Sequence, residues 1–150
     1  MDKWDACAFP VDPERLRGRL CYGGLDLSST TDITAFVLVF PPEDEDGKFE
    51  ILPFFWLPEE SIDLRVKRDH VPYDIWQREG LVYTTEGNVI HYGYIEEFIE
   101  EVGTKFHIAE IAFDRWGAVQ MTQNLEELGF TVVPFGQGYK DMSPPTKELM

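Results

Sequence analysis

Two aspartates occupy positions from which a strand-rich chain can do chemistry. Asp26 closes the run Leu20-Cys21-Tyr22-Gly23-Gly24-Leu25 and precedes the polar turn Leu27-Ser28-Ser29-Thr30-Thr31-Asp32. Asp114 closes a second run, His107-Ile108-Ala109-Glu110-Ile111-Ala112-Phe113. Both runs read as buried strands, and side chains alternate between the faces of a strand, so each acid points away from its apolar neighbours. A lone aspartate at such a place can cap a turn by accepting from nearby Ser and Thr amides. Two core strands that each deliver an aspartate at the C-terminal end also suit a hard-cation site at the carboxyl edge of an open α/β sheet. Mg²⁺ or Mn²⁺ takes oxygen donors in octahedral geometry, and one or two protein carboxylates suffice when water and phosphate supply the rest. In a two-ion version, with the ions about 3.5–4 Å apart, Asp26 would bridge them and Asp114 would hold one.

Other polar residues are weaker candidates. Asp32 lies across the turn from Asp26, where capping the second strand is its simpler role. Lys140 and Lys147 flank a late glycine loop as candidate phosphate contacts, and Asp141 is a further acid without a supporting pattern. Arg115 is placed to pair with a surface acid, and Trp116-Gly117 to open a helix rather than to stack a base. His70, His91 and His107 do not converge in sequence, so no histidine base is singled out. Gly136-Gln137-Gly138 lacks the rest of a dinucleotide fingerprint, and no nucleophile-elbow serine is present. Cys7 and Cys21 show neither CxxC nor zinc spacing and read as reduced thiols.

The elements that must position these residues follow from periodicity and turn chemistry. Residues 1–18 form an N-terminal arm, with Asp12 capping a short turn at Pro13. Strands are expected over 19–27, 34–40 and 49–57, joined by short loops and therefore antiparallel, with Pro53 marking the third as an edge or a bulge. Residues 58–90 read as a helical insertion, with helices at 62–70, N-capped by Ser61, and at 73–79, then extended pieces at 81–85 and 89–90. Ile95, Phe98, Ile99 and Val102 make an apolar stripe on a helix over 92–105. Strand 107–113, helix 117–128 and strand 130–135 form a βαβ unit, which makes those two strands parallel. Residues 136–140 read as a loop. Ser143-Pro144-Pro145 reads as a helix start that the chain leaves without a body, so the C-terminal helix is expected to be missing.

With 150 residues and a hydrophobic fraction of 43%, the chain is long enough for one domain, here 19–150, with an ordinary core. No apolar run approaches the roughly 20 residues of a membrane span, so a soluble protein is expected. The net charge of −15 weighs against tight autonomous DNA binding, which needs local positive charge.

This element order is that of the ribonuclease H-like fold: an α/β domain with a mixed five-stranded sheet, three antiparallel strands then two parallel, and flanking helices. The residues extend the likeness. Trp4 and Cys7, Arg19-Leu20-Cys21-Tyr22-Gly23-Gly24-Leu25-Asp26-Leu27-Ser28, Ile111-Ala112-Phe113-Asp114-Arg115-Trp116 and Val133-Pro134-Phe135-Gly136-Gln137-Gly138 together resemble the nuclease domain of phage terminase large subunits of the HK97-like group. The resemblance implies a metal-dependent endonuclease that cuts concatemeric viral DNA during genome packaging, with Mg²⁺ or Mn²⁺ as cofactor. It implies Asp26 and Asp114 as catalytic residues and metal ligands, and a further family acid downstream of Met150, which would leave this form impaired. It also implies double-stranded viral DNA, the terminase ATPase domain, the small subunit and the portal as partners, in the host cytoplasm. No GxxxxGK[ST] phosphate loop of such an ATPase occurs in these residues. Another ribonuclease H-like enzyme, of resolvase or transposase type, would use the same two acids, and a non-catalytic docking domain would suit the charge.

Overall fold

The computed structural model describes residues 5–28, 32–45, 47–114 and 119–150. Strands β1 (Leu20–Asp26), β2 (Thr34–Phe40), β3 (Glu50–Pro58), β4 (Tyr83–Thr85), β5 (His107–Asp114) and β6 (Val132–Phe135) form one sheet in the order β4-β3-β2-β1-β5-β6. The first three pair antiparallel, and β3 with β4, β1 with β5 and β5 with β6 pair parallel. The mixed sheet expected from the sequence is present, with six strands rather than five. The addition is β4, from the insertion, which is too short at three residues to show a period. It pairs only with Trp56–Pro58, so the outer side of β3 carries no described strand opposite Pro53. Proline's missing N–H is harmless there.

Among the described residues the helices beside the sheet are α1 (Ile62–Asp69), α2 (Tyr73–Arg78), α3 (Tyr92–Lys105), α4 (Val119–Glu127) and α5 (Tyr139–Leu149). Alternation sends Cys21 and Leu25 of β1, Phe36, Leu38 and Phe40 of β2, Leu52 and Trp56 of β3 and Ile111 of β5 into one buried core. Ile95, Ile99 and Val102 of α3 and Met121 and Leu125 of α4 close over it. Phe98 meets Phe54 and Trp56 edge-on, with ring centroids 4.8 and 5.1 Å apart. Leu16, in the 3-10 turn Pro13–Leu16, is fully buried in the same core. That turn is capped as its sequence predicts, Asp12 accepting from the Glu14 N–H at 3.0 Å.

The opposite face of the sheet is largely open, Tyr22 and Ile51 being 45% and 51% exposed. The insertion covers its corner beside β3. Ile62, Tyr73 and Val82 are buried with Leu57 there, and Ile33 and Phe55 pack against them.

Two local expectations are corrected. Ser61 does not cap α1 with its side chain; its hydroxyl donates to the Pro58 carbonyl at 2.9 Å and accepts from Arg65 Nε at 3.1 Å. At the other end, α5 begins at Tyr139 behind Gly138, so Tyr139 and Lys140 are helical, and Pro144 and Pro145 lie inside the helix. The Ser-Pro-Pro triplet mimics a helix start because proline suits a first turn. It is tolerated further in because α5 buries none of its residues, so carbonyls left without donors reach water.

Candidate active site

The two aspartates come together through strand register. β1 and β5 are parallel neighbours with Leu25 opposite Phe113, so Asp26 and Asp114 are the next pair along, at the C-terminal ends of both strands. Adjacent strands lie about 4.8 Å apart and in-register residues share a face, which places the two carboxylates side by side on the open face. Asp26 is exposed and Asp114 half-buried, and both line one cavity of about 370 Å³. Gly24, Ala35, Val37 and Ala112 form its floor, with Phe135, Gln137 and Met142 around it. Pairing explains the floor: Ala35 lies opposite Asp26, and Val37 and Ala112 flank Gly24. A β-carbon built on Gly24 would meet nothing within 4 Å, so small side chains keep the approach to the acids clear.

The turn after Asp26 is held by other residues. Ser28 N–H donates to Thr34 Oγ1 at 3.0 Å, Thr34 Oγ1 donates to the Ser28 carbonyl at 3.1 Å, and Asp32 N–H donates to Ser28 Oγ at 2.9 Å. Among the described residues the Asp26 carboxylate accepts no hydrogen bond and forms no ion pair. The amides of Ser29, Thr30 and Thr31, which the turn-capping reading of Asp26 invokes, lie outside the described residues. Asp32 acts through its backbone, its carbonyl accepting from Arg65 Nη2 at 3.2 Å. Arg65 carried no sequence signal, because one of its partners is a main-chain oxygen far along the chain.

The remaining candidates lie elsewhere. His91 lines a separate cavity with Glu86, Tyr94 and Glu97. His107 lines a groove with Gly18 and Lys105, at the strand end opposite Asp114. His70 closes α1 in a left-handed conformation, φ 55°. None of the three lines the aspartate cavity. Lys140, in the first turn of α5, and Lys147 are exposed, and Asp141 is not among the residues lining that cavity. Arg115, Trp116 and Gly117 fall outside the described residues, as does Trp4. Cys21 is buried, and burial pushes its thiol up to about 11, while Cys7 is exposed.

Among the described residues no group of three or more His, Cys, Asp or Glu is placed to hold a metal ion. The oxygen donors lining the cavity include two strand-end carboxylates, Asp26 and Asp114. That set lacks the sulfur and nitrogen ligands of zinc sites and fits a hard ion that draws its other ligands from water and phosphate.

The sheet order defines the class, a ribonuclease H-like α/β domain. Residues 1–150 match the family described as terminase large subunit, endonuclease domain, and the chain belongs to that family. It is 39% identical over 149 residues to the terminase large subunit of Enterobacteria phage HK97, covering 97% of this chain and 28% of that protein. Protein YmfN of Escherichia coli strain K12 is 26% identical over 154 residues, covering 97% of this chain and 34% of YmfN. The crystal structure of the HK97 bacteriophage large terminase superposes with a TM-score of 0.82 at 38% identity, over 99% of this chain and 30% of that one. The chain thus spans about a third or less of the length of these relatives. No helix among the described residues is long and apolar enough to cross a membrane.

Proposed function

We propose that this chain is the DNA-cutting module of a terminase large subunit, a divalent-metal-dependent endodeoxyribonuclease acting on concatemeric viral DNA during packaging in the host cytoplasm. Asp26 and Asp114 are its catalytic residues and would hold Mg²⁺ or Mn²⁺. The observation that carries this reading is that both acids line one cavity, each next after the paired residues Leu25 and Phe113 of adjacent parallel strands. A bound ion supplies a Lewis acid for the phosphodiester oxygens and makes an attacking water easier to deprotonate. The chain's own part is positional. The two strands hold the carboxylates at a fixed spacing, the low floor at Gly24 and Ala112 admits the sugar-phosphate backbone, and Lys140 and Lys147 offer charge to neighbouring phosphates.

A net charge of −15 opposes DNA at long range. Grip on the double-stranded substrate therefore falls to the terminase ATPase domain, the small subunit and the portal, with this module acting on DNA delivered to it. The experiment is nicking of supercoiled plasmid by the purified chain at high protein concentration in Mg²⁺ or Mn²⁺. The expected result is cleavage that EDTA and Asp26→Asn both abolish. Cleavage that survives Asp26→Asn overturns the assignment. The same charge favours a second reading, a non-catalytic docking domain of the packaging machine; a folded chain that neither binds Mg²⁺ or Mn²⁺ nor cuts DNA supports it.

A further inference from the structure

We infer that Arg65 is a positioning residue through which helix α1 of the insertion braces the turn that follows Asp26. The inference rests on the reading of Asp26 as a metal ligand. Arg65 is 2% exposed, and a buried guanidinium is retained only when its donors are partnered. Its Nε donates to Ser61 Oγ at 3.1 Å and its Nη2 to the Asp32 carbonyl at 3.2 Å. Ser61 Oγ is itself fixed by donating to the Pro58 carbonyl at 2.9 Å, at the end of β3. Asp32 in turn donates its N–H to Ser28 Oγ at 2.9 Å, two residues beyond Asp26. A continuous line of hydrogen bonds therefore runs from the end of β3 through α1 to the segment that leaves the first acid.

Packing alone does not call for this arginine. Ile62, Tyr73 and Val82 already anchor the insertion on Leu57, and an apolar side chain at the same helical position would extend that cluster. A charged, planar fork is needed where two acceptors at fixed angles must be reached together. The insertion also sits on the face that carries the acids: Phe55, packed against its cluster, pairs with Ala35, which pairs with Asp26. Holding a ligand to within about 0.5 Å is what such outer supports achieve.

The test uses the full 150-residue chain with Arg65→Met, Arg65→Lys and the milder Ser61→Ala. Three quantities are measured: thermal unfolding, hydrogen exchange at the Ser28 and Asp32 amides by NMR, and Mn²⁺ affinity by calorimetry. Arg65→Met is expected to speed Asp32 exchange and to weaken Mn²⁺ binding about tenfold, the loss that follows removal of an outer-shell partner. Arg65→Lys should recover thermal stability more fully than exchange protection, since an ammonium lacks the fork. Ser61→Ala should shift both readouts the same way by less, and it carries the test if Arg65→Met does not fold. Folded variants with wild-type exchange at both amides and wild-type Mn²⁺ affinity would overturn the inference, whatever their melting temperature. If the wild-type chain binds no Mn²⁺, the proposed function fails separately, and the exchange measurement still decides whether the brace exists.

Discussion

Adjacent glycines in β1 are expected to respond to alanine with opposite signs, because they face opposite sides of the sheet. At Gly23 a β-carbon would lie 3.0 Å from the Phe36 ring and 3.2 Å from Ile111 Cγ1, two fully buried residues of the core. Overpacking of this kind costs about 1–3 kcal/mol. At Gly24 a β-carbon meets nothing within 4 Å, and the residue has no positive φ to protect. Replacing a strand glycine there removes its excess unfolded-state entropy, a gain of about 0.5–1 kcal/mol. At about 2–4 °C per kcal/mol for a chain of this size, Gly23→Ala should melt roughly 2–12 °C lower and Gly24→Ala roughly 1–4 °C higher. Differential scanning calorimetry of the two variants reads this directly. The functional half uses Gly24→Leu, which fills the floor beside Asp26 without touching either acid. It should keep Mn²⁺ binding and lose plasmid nicking. A destabilising Gly24→Ala, or a Gly24→Leu variant that nicks DNA as well as wild type, would refute the reasoning that Gly24 is small for the substrate and not for the core.

Two further predictions concern regions away from the acids. Glu50 is buried and takes both Arg15 and Arg19, the latter at 2.9 Å. Glu50→Ala leaves the mostly buried Arg19 without that partner, a loss of about 3 kcal/mol that chemical denaturation should register while Mn²⁺ affinity stays unchanged. Ellman's reagent at pH 8 should label one thiol in the native chain, exposed Cys7, and two after unfolding. Because the folded Cys21 holds its proton up to about 11 against an ordinary 9.0, its contribution to stability is complete below pH 9. That contribution is lost as pH rises from about 9 through 11, where the unfolded chain ionises first. Cys21→Ser should flatten that limb of a stability–pH curve.

The strand ends bearing Asp26 and Asp114 were legible in the sequence because each is an apolar run closed by an acid, and the stripe of α3 was legible to the residue. Whether Asp26 served a metal or a turn was not, since both roles ask for an aspartate beside serines and threonines. Among the described residues Ser28 and Thr34 hydrogen-bond across the turn, and the metal role of Asp26 is the one we propose. Strand β4 falls within the extended piece read at 81–85, but its place in the main sheet was not legible, because its pairing with Trp56–Pro58 is non-local. Arg65 escaped because one of the acceptors that accompany its burial is the Asp32 carbonyl, 33 residues earlier, and backbone acceptors leave no trace in residue type. The start of α5 was misplaced for the converse reason, a proline pair whose local preference the exposed helix does not obey.

The central claim is that Asp26 and Asp114 form one site, and Mn²⁺ calorimetry on the wild-type chain, Asp26→Asn and Asp114→Asn tests it most directly, with thermal unfolding run alongside. The account predicts a saturable wild-type isotherm and, in each folded variant, affinity lower by about a hundredfold or more, beyond what loss of an outer partner produces. Wild-type affinity in either variant would contradict it.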